Sequence, residues 1–540
     1  MFRIAVIGGG ISGLSAAYRL RELASEVEVT LFEAGPRVGG VLGTVHEDGY
    51  QVEWSADNFI TTYPWGLTLC RRLGLEGDLT STQPENRRTF VVRRGRLYRL
   101  PDGFLMMAPT RFWPMALTPL LSPWGKLRAA WEYFLPPRKV SSDESVAAFV
   151  RRRFGTEVFE RLVEPLVSGV YAADMEKLSL LATLPRFREM EQQYGSLIRA
   201  MQKERARMKS HRRESGARYS MFVTLRGGLS QLVEALRSAL PEGSIRLESR
   251  VIGLQYQSPG WRVLIREESK GRPDAESVPM ILTTAARTEA LPHSTADPGR
   301  QRSDGGLEFP KDQLAERGNF LCAESQSETF DAVILAVPAP VAAQLLEPSD
   351  PELGTLLASI RYEGTAILAL AYDRGAVRHP LNGMGCVVPA AERSPILAVS
   401  FSSQKYLHRA PPGKVLLRIF VGGARNPSLS EKSADEIQEI VLPELSRLFG
   451  IRGLPEKRWF FPWPRSMPQY DVGHLERVAR IRACVARFPG LALAGNAYMG
   501  VGIPHCIHSG EEAAEAVLAQ LGILPASGRE RLEDIAPQRS

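Results

Sequence analysis

The sequence predicts an α/β protein made of a Rossmann-like βαβ unit, a mixed, mostly antiparallel sheet and an inserted helical subdomain. Three observations carry that prediction. The β-branched run Phe2–Ile7 stops at Gly8-Gly9-Gly10, a helical pattern spans Ser12–Leu23, and Val27–Glu33 is a second apolar run, together a βαβ unit of about 30 residues. Helical periodicity occupies Ser141 to Arg218. Short apolar runs between turn residues recur from Ala366 to Val421. With 540 residues, 44% apolar and 24% charged, the chain has room for several domain-sized units and is neither disordered throughout nor fibrous.

The opening run reads as a strand rather than a secretory signal, because three successive glycines interrupt the helix that a signal core requires. Phe104–Leu121 is the most hydrophobic region elsewhere. Pro109, Arg111, Pro114 and Pro119 break it well short of the roughly 18 apolar residues that span a bilayer. Its large side chains (Phe104, Leu105, Met106, Met107, Phe112, Trp113, Met115), with Trp124 beyond, suit a membrane interface, a greasy channel or a helical core. Ser141 and Glu144 have capping-box spacing ahead of the apolar face Val146, Phe149, Val150 and Phe154. The basic stretch Lys203–Arg218 reads as a solvated helix face.

Gly227-Gly228 open an amphipathic helix through Leu240, and strands are expected at Ile245–Leu247 and Trp261–Ile265. Lys270–Glu328 loses periodicity and fills with Ser, Gly, Pro and acidic residues, which predicts a disordered insertion in a strand-to-strand connection. Order is expected again from Phe330 to Val337, then in strands at Ala366–Tyr372, Gly385–Val388, Ile396–Phe401 and Val415–Val421. A buried strand at Leu491–Gly495 and a helix at Gly510–Leu521 complete the pattern.

The net charge of +7 is modest over this length; it favours an acidic ligand or an anionic membrane face and gives no reason to expect nucleic acid. Five scattered cysteines (Cys70, Cys322, Cys386, Cys484, Cys506) form no CxxC pair, which argues for a reducing compartment and against a disulfide framework. His505, Cys506 and His508 come nearest to a ligand cluster, but no CxxC or HExxH pairing accompanies them, and no metal is expected.

Gly8-x-Gly10-x-x-Gly13 follows a strand and opens a helix, and Glu33 closes the next strand. Gly8 permits the tight turn, Gly10 lets backbone approach a pyrophosphate, and Gly13 lets helix and strand pack closely. The loop and first helical turn (Gly8, Gly9, Gly10, Ile11, Ser12, Gly13) put unpaired N–H groups and the positive end of a helix dipole at the phosphates. Glu33 is placed to accept from an adenosine ribose hydroxyl. The pattern points to a dinucleotide site.

The block Glu33-Ala34-x-x-Arg37-x-Gly39-Gly40, running on into Val41, resembles the flavin-containing amine oxidase superfamily. So does the C-terminal segment Leu491–Asn496 followed by Val501-Gly502-Ile503. The resemblance implies non-covalent FAD. In it Arg37 pairs with the pyrophosphate, Gly40 and Val41 run beside the extended cofactor, and Val251, after Arg250, packs on the adenine. Gly495, Asn496, Val501, Gly502 and Ile503 meet the ribityl chain and the electron-rich end of the isoalloxazine.

Further blocks resemble the protoporphyrinogen oxidase family, the oxygen-dependent porphyrinogen oxidases of haem biosynthesis with their bacterial coproporphyrinogen III-oxidising members. They are Asp143-Glu144-Ser145-Val146, Ser168-Gly169-Val170-Tyr171-Ala172, Leu225-Arg226-Gly227-Gly228-Leu229, Met467-Pro468-Gln469-Tyr470 with Gly473-His474, and Ala494–Tyr498 through Cys506-Ile507. They span nearly the whole chain apart from the insertion.

This resemblance implies six-electron oxidation of protoporphyrinogen IX, coproporphyrinogen III or both, with O2 as acceptor and H2O2 as product. Flavin N5 does the chemistry, so no catalytic side chain is nominated, and His474 is read as structural. Gly169, Met384, Val387 and Phe420 are expected against the macrocycle. A propionate-pairing arginine aligns without gaps on Thr89; a one-residue slip puts it at Arg88. Arg87, Arg88 and Arg96 would favour the substrate with four carboxylates. Met499 and His505 depart from the pattern, standing where a glutamate and an aspartate are common.

The family organisation implies FAD-binding parts at 1–86, 221–269, 329–345 and 480–525, and substrate-binding parts at 87–103 and 346–479. It implies a membrane-associating helical subdomain at 104–220, the disordered insertion at 270–328 and a flexible tail at 526–540. The protein is expected in the cytoplasm with peripheral contact to the cytoplasmic membrane, and a homodimer is left open. Competing readings are another FAD amine oxidase or a carotenoid-type desaturase, and a non-catalytic flavoprotein.

Overall fold

A computed structural model describes residues 1–105, 108–109, 112–138, 142–203, 221–267 and 325–525. The opening strand Arg3–Ile7 is the centre of a five-stranded parallel sheet. Glu28–Phe32 and Ala332–Leu335 flank it, and Ile245–Arg246 and Leu491–Leu493 form the edges. These strands are continuous apolar runs because both faces are covered. The opening helix Ile11–Leu23, the helix Ser230–Ser238 and the closing helix Ile503–Gln520 pack on one face. A three-stranded antiparallel sheet (Ser249–Gln257, Gly260–Glu267, Ser325–Phe330) and the helices Ala339–Leu346 and Pro351–Ala358 cover the other.

Two expectations are corrected here. The closing helix starts at Ile503, not Gly510. Gly510 is instead a close-approach residue, since a Cβ there would lie 2.1 Å from Ser12 O of the opening helix. A strand runs from Ser325 to Phe330, ahead of the expected start at Phe330, so the expected insertion 270–328 overlaps it. That strand, SQSETF, lacks an apolar face; ladder bonds opposite Gly260–Glu267 and the pairing of Glu328 with Arg3 (3.0 Å) and Arg246 define it. Most of the insertion, the tail and the basic stretch beyond Lys203 lie outside the described residues.

A second sheet has seven strands in the order Lys457–Pro468, Tyr362–Asp373, Lys414–Gly422, Ile396–Phe401, Gly385–Val387, Thr89–Arg93 and Arg96–Arg99. Its neighbours are antiparallel except for Gly385–Val387 against Thr89–Arg93. The strand Lys457–Pro468 is absent from the sequence reading because Pro462, Pro464 and Pro468 argue against a strand. Its edge position resolves the conflict, since an edge leaves one side of the ladder without partners. The helix Ala434–Phe449 packs on one face. The hairpin Thr44–Glu47/Tyr50–Glu53 and Trp54 cover part of the other.

The helical unit has its own core, built on Val146, Phe149, Phe154, Leu162, Val163 and Phe187. The capping assignment is corrected: Ser145 caps the helix Val146–Phe154 by accepting from Ala148 N at 3.1 Å, and Glu144 instead pairs with Arg138, Arg152 and Arg188. Ser141 lies outside the described residues. Arg153 is wholly buried yet paired with Glu132 and with Glu191 at 3.4 Å, so no charge is stranded in the core. The greasy stretch divides: Phe104, Met115, Leu120 and Leu121 are buried, whereas Trp113, Leu117 and Trp124 are more than two-thirds exposed, as Phe134 is. Among the described residues no helix is long and apolar enough to cross a membrane.

Candidate active site

The first half of the site is a crevice at the carboxyl ends of Arg3–Ile7, Ala332–Leu335 and Leu491–Leu493, where α/β sheets bind ligands. Gly8 has φ +105°, and a Cβ on it would meet Ala336 O at 2.5 Å; a Cβ on Gly13 would meet Gly8 O at 1.9 Å. A Cβ on Gly10 would meet nothing within 4 Å, so its backbone faces open space. Gly39 N donates to Gly9 O at 2.7 Å, which lays the segment Arg37–Val41 alongside the glycine loop. The Glu33 carboxylate accepts from Gly9 N (2.7 Å) and Gly35 N (2.8 Å), shaping both turns around Ala34 while keeping lone pairs free.

The Arg37 guanidinium donates to Val38 O, Leu42 O and Gly40 O and lies 3.8 Å over the Trp54 ring. Burial pulls its pKa down to about 10 against the pull of Glu33, which leaves it charged at neutral pH. Val251 is buried beside Phe32 on the strand whose Ser249 N donates to Glu33 O. The opening and closing helices are capped by Gly10 and Gly502, neither of which offers a side-chain acceptor. The first-turn N–H groups, those of Ile11, Ser12 and Ile503 included, receive no side-chain cap and face the kind of site that binds anions.

The loop Gly495–Gly502 that returns to this crevice is clamped from the Pro468–His474 segment. The Tyr470 hydroxyl donates to Asn496 O and accepts from Gly500 N at 2.8 Å. His474, wholly buried, stacks on Tyr470 with centroids 4.1 Å apart, and its Nε2–H donates to Tyr498 O at 3.2 Å. Burial pushes the imidazole down to about 4, the bond to Tyr498 opposing, so it is neutral at pH 7. Asp143 accepts from Ser179 Oγ, Leu181 N and Gly473 N, tying the helical unit to the same clamp.

The second half is an apolar slot on the seven-stranded sheet. Val387, Ala398 and Phe420 are register partners across three strands and form one partly open row. Met384 N donates to Arg88 O at 2.8 Å, and Arg88, the residue before the strand Thr89–Arg93, is exposed; strand alternation puts it on the side of Phe90 rather than of Val387. Gly169 lies in the last turn of the helix Glu164–Tyr171, and a Cβ on it would stand 3.9 Å from Val387 Cγ1. That turn is where helix carbonyls lack intrahelical donors.

A charge cluster joins the two halves. Ser55 Oγ donates to Val41 O at 2.7 Å; Arg418 donates to Ser55 O and lies 5.2 Å from the Phe420 ring. Asp57 is 3.0 Å from Lys405 Nζ and 3.6 Å from Arg418. Burial alone would raise its pKa, but Lys405 and Arg418 hold it at about 2. Sequence reasoning passed over Asp57, Lys405 and Arg418. A signal existed for Arg418, the one charged residue in the apolar strand Val415–Val421.

A profile of the family described as flavin containing amine oxidoreductase matches residues 11–286 and 312–518. The chain belongs to that family. This amine oxidoreductase family member is 32% identical to the coproporphyrinogen III oxidase of Bacillus subtilis (strain 168), over 96% of this chain and 98% of that one. It is 30% identical to the coproporphyrinogen III oxidase of Staphylococcus aureus (strain NCTC 8325 / PS 47), over 96% and 99%. A crystal structure from Exiguobacterium sp. 255-15, assigned as a protoporphyrinogen oxidase, matches with a TM-score of 0.75 at 28% identity, covering 96% of this chain and 99% of that one.

A flavin fits the crevice of this family member: two uncapped helix starts converge on it, and Gly10 and Gly495 leave open backbone toward it. The fold groups the expected cofactor residues (Gly8–Gly13, Glu33, Ala34, Arg37, Gly40, Val41, Val251, Gly495, Asn496, Val501, Gly502, Ile503) at this crevice. Of the expected substrate residues it brings Gly169, Val387 and Phe420 to the slot, whereas Met384 and Arg88, joined through their backbones, stand beyond the end of the strand Gly385–Val387.

Proposed function

We propose that the chain is an FAD-dependent porphyrinogen oxidase, with coproporphyrinogen III as the preferred substrate and O2 as the acceptor. The observation that carries this reading is the apolar row Val387–Ala398–Phe420 beneath Gly169, tied through Arg418 and Ser55 to the loop at Val41. A flat tetrapyrrole needs such a slot, and the basic residues Arg87, Arg88 and Arg96 would suit a ring with four carboxylates. The names of the relatives support the same substrate class.

The glycine loop and the two helix starts would hold FAD without a covalent bond, with Glu33 toward the ribose and Arg37 holding positive charge beside Gly40. When bound, FAD supplies the hydride acceptor for meso-carbon oxidation and is turned over by O2 to H2O2. The chain does the rest. Gly169 O would take a pyrrole N–H, Met384, Val387 and Phe420 would exclude water and orient the ring, and Arg88 would meet a propionate. His474, neutral and bonded to backbone, holds the C-terminal loop rather than moving protons.

The exposed Trp113, Leu117, Trp124, Leu127, Trp131 and Phe134 of the helical unit would supply apolar side chains for peripheral contact with the cytoplasmic membrane. The test is anaerobic. Yellow holoprotein mixed with coproporphyrinogen III should bleach and regain colour in air, and acid should release the flavin into the supernatant. Flavin that stays oxidised with both coproporphyrinogen III and protoporphyrinogen IX overturns the proposal.

A further inference from the structure

Arg418 and Ser400 are register partners on adjacent antiparallel strands, so their side chains rise from the same face of the sheet as Phe420 and Ala398. Two of the Arg418 nitrogens are engaged, one with Ser55 O and the other near Asp57. Its Nε is buried with no partner, and so is the Ser400 hydroxyl, among the described residues. Two unpartnered polar groups thus rise from register-paired positions on the face of the slot. The Arg418 side chain is 2% exposed.

The charge count around them is unbalanced. Lys405 and Arg418 share one carboxylate, Asp57, which Asn58 also contacts at 2.7 Å. The neighbouring Arg409 is already matched by Glu53. Among the described residues one positive charge of this cluster is therefore left without a carboxylate of its own, an arrangement that costs free energy until an anion joins it.

We propose that Arg418 Nε and Ser400 Oγ form a carboxylate subsite in the floor of the slot, which takes one propionate of the porphyrinogen. This rests on the substrate class proposed above. The site differs from the exposed Arg88: it is buried on the sheet face that carries the apolar row, and it would fix the rotation of the macrocycle rather than its entry. The same two donors would suit a flavin carbonyl, and the experiment separates these sources.

Holoenzymes carrying Ser400→Ala and Arg418→Lys are compared with the parent for FAD dissociation constant, flavin spectrum, and KM and kcat with coproporphyrinogen III and its tetramethyl ester. Loss of a charge-assisted bond predicts a KM for coproporphyrinogen III raised about tenfold or more in Arg418→Lys and about threefold in Ser400→Ala, with smaller changes in kcat. The ester, which has no carboxylate to lose, should change less than about twofold, and FAD affinity should hold. Equal losses on acid and ester overturn the subsite in favour of a structural role. A weakened FAD affinity with shifted spectrum and unmoved KM overturns it in favour of a flavin carbonyl. Should Arg418→Lys fail to fold, Ser400→Ala decides alone by the same readings. A parent that neither porphyrinogen reduces removes the proposed function and the subsite together; parent turnover with unmoved KM in the variants removes the subsite alone.

Discussion

Gly10 and Gly13 have the same side chain and opposite reasons for it. A Cβ on Gly13 runs into Gly8 O, a fault of the protein's own packing, whereas a Cβ on Gly10 meets only the space where a pyrophosphate would lie. Gly10→Ala should therefore give a folded protein, with an apo melting temperature within about 2 °C of the parent, that purifies without flavin absorbance. A yellow Gly10→Ala protein would show that the phosphates lie elsewhere.

His474 carries a pH signature. Its folded pKa, about 4, lies below the usual imidazole value because of burial, so the unfolded chain binds the proton more readily. Its stability contribution is complete above pH 6.5 and is lost as pH falls toward 4. Between pH 7 and 5, His474→Gln should lose about 1–2 kcal/mol less unfolding free energy than the parent, read from denaturant melts at each pH. At this scale the glycines were legible because a required conformation or contact names its own residue. Asp57 and Lys405 were not, because an ion pair leaves no periodic trace; Arg418 left one signal, a lone charge in an apolar strand.

The strand Lys457–Pro468 shows why element types are harder to read than residues. Three prolines oppose a central strand but are tolerated on an edge, and nothing in the local sequence says which it is. Gly510 misled in the opposite direction, since a helix-start signal and a helix–helix contact select the same residue. The strand Ser325–Phe330 escaped notice because its residues are polar and its order comes from the partner ladder.

That register carries a prediction. Arg266 stands opposite Ser325, so the ends of the connection between the two strands are close enough for a short turn. Replacing residues 270–322 by a four-residue turn should leave flavin content and oxidase rate within about twofold of the parent. Extending the deletion through Glu328 should destabilise the protein, because it removes most of the strand Ser325–Phe330 and an ion-pair partner of both Arg3 and Arg246. Loss of flavin in the shorter deletion, measured by absorbance, would show that the removed residues support the cofactor crevice.

Across the whole molecule, apolar surface is distributed unevenly. The helical unit buries a core of its own and leaves Trp124 80% exposed, with Trp131 at 57% and Phe134 at 68% nearby in sequence. If this face meets lipid, replacing Trp124 and Trp131 by serine should weaken binding to phosphatidylglycerol vesicles about tenfold or more, in flotation assays, while flavin content holds. Equal flotation of parent and variant would place the membrane contact elsewhere.

The sequence by itself determined the cofactor crevice, the run of short strands and the family likeness. Those signals are local: a glycine's permitted angles, a helix start and an acid at the end of a strand are all written within a few dozen residues. Only the tertiary structure decided which apolar positions share the slot and which charges meet beneath it. Gly169, Val387, Lys405 and Arg418 come from separate elements, and Asp57 reaches them from the first hundred residues, so strand register and helix docking alone bring them together.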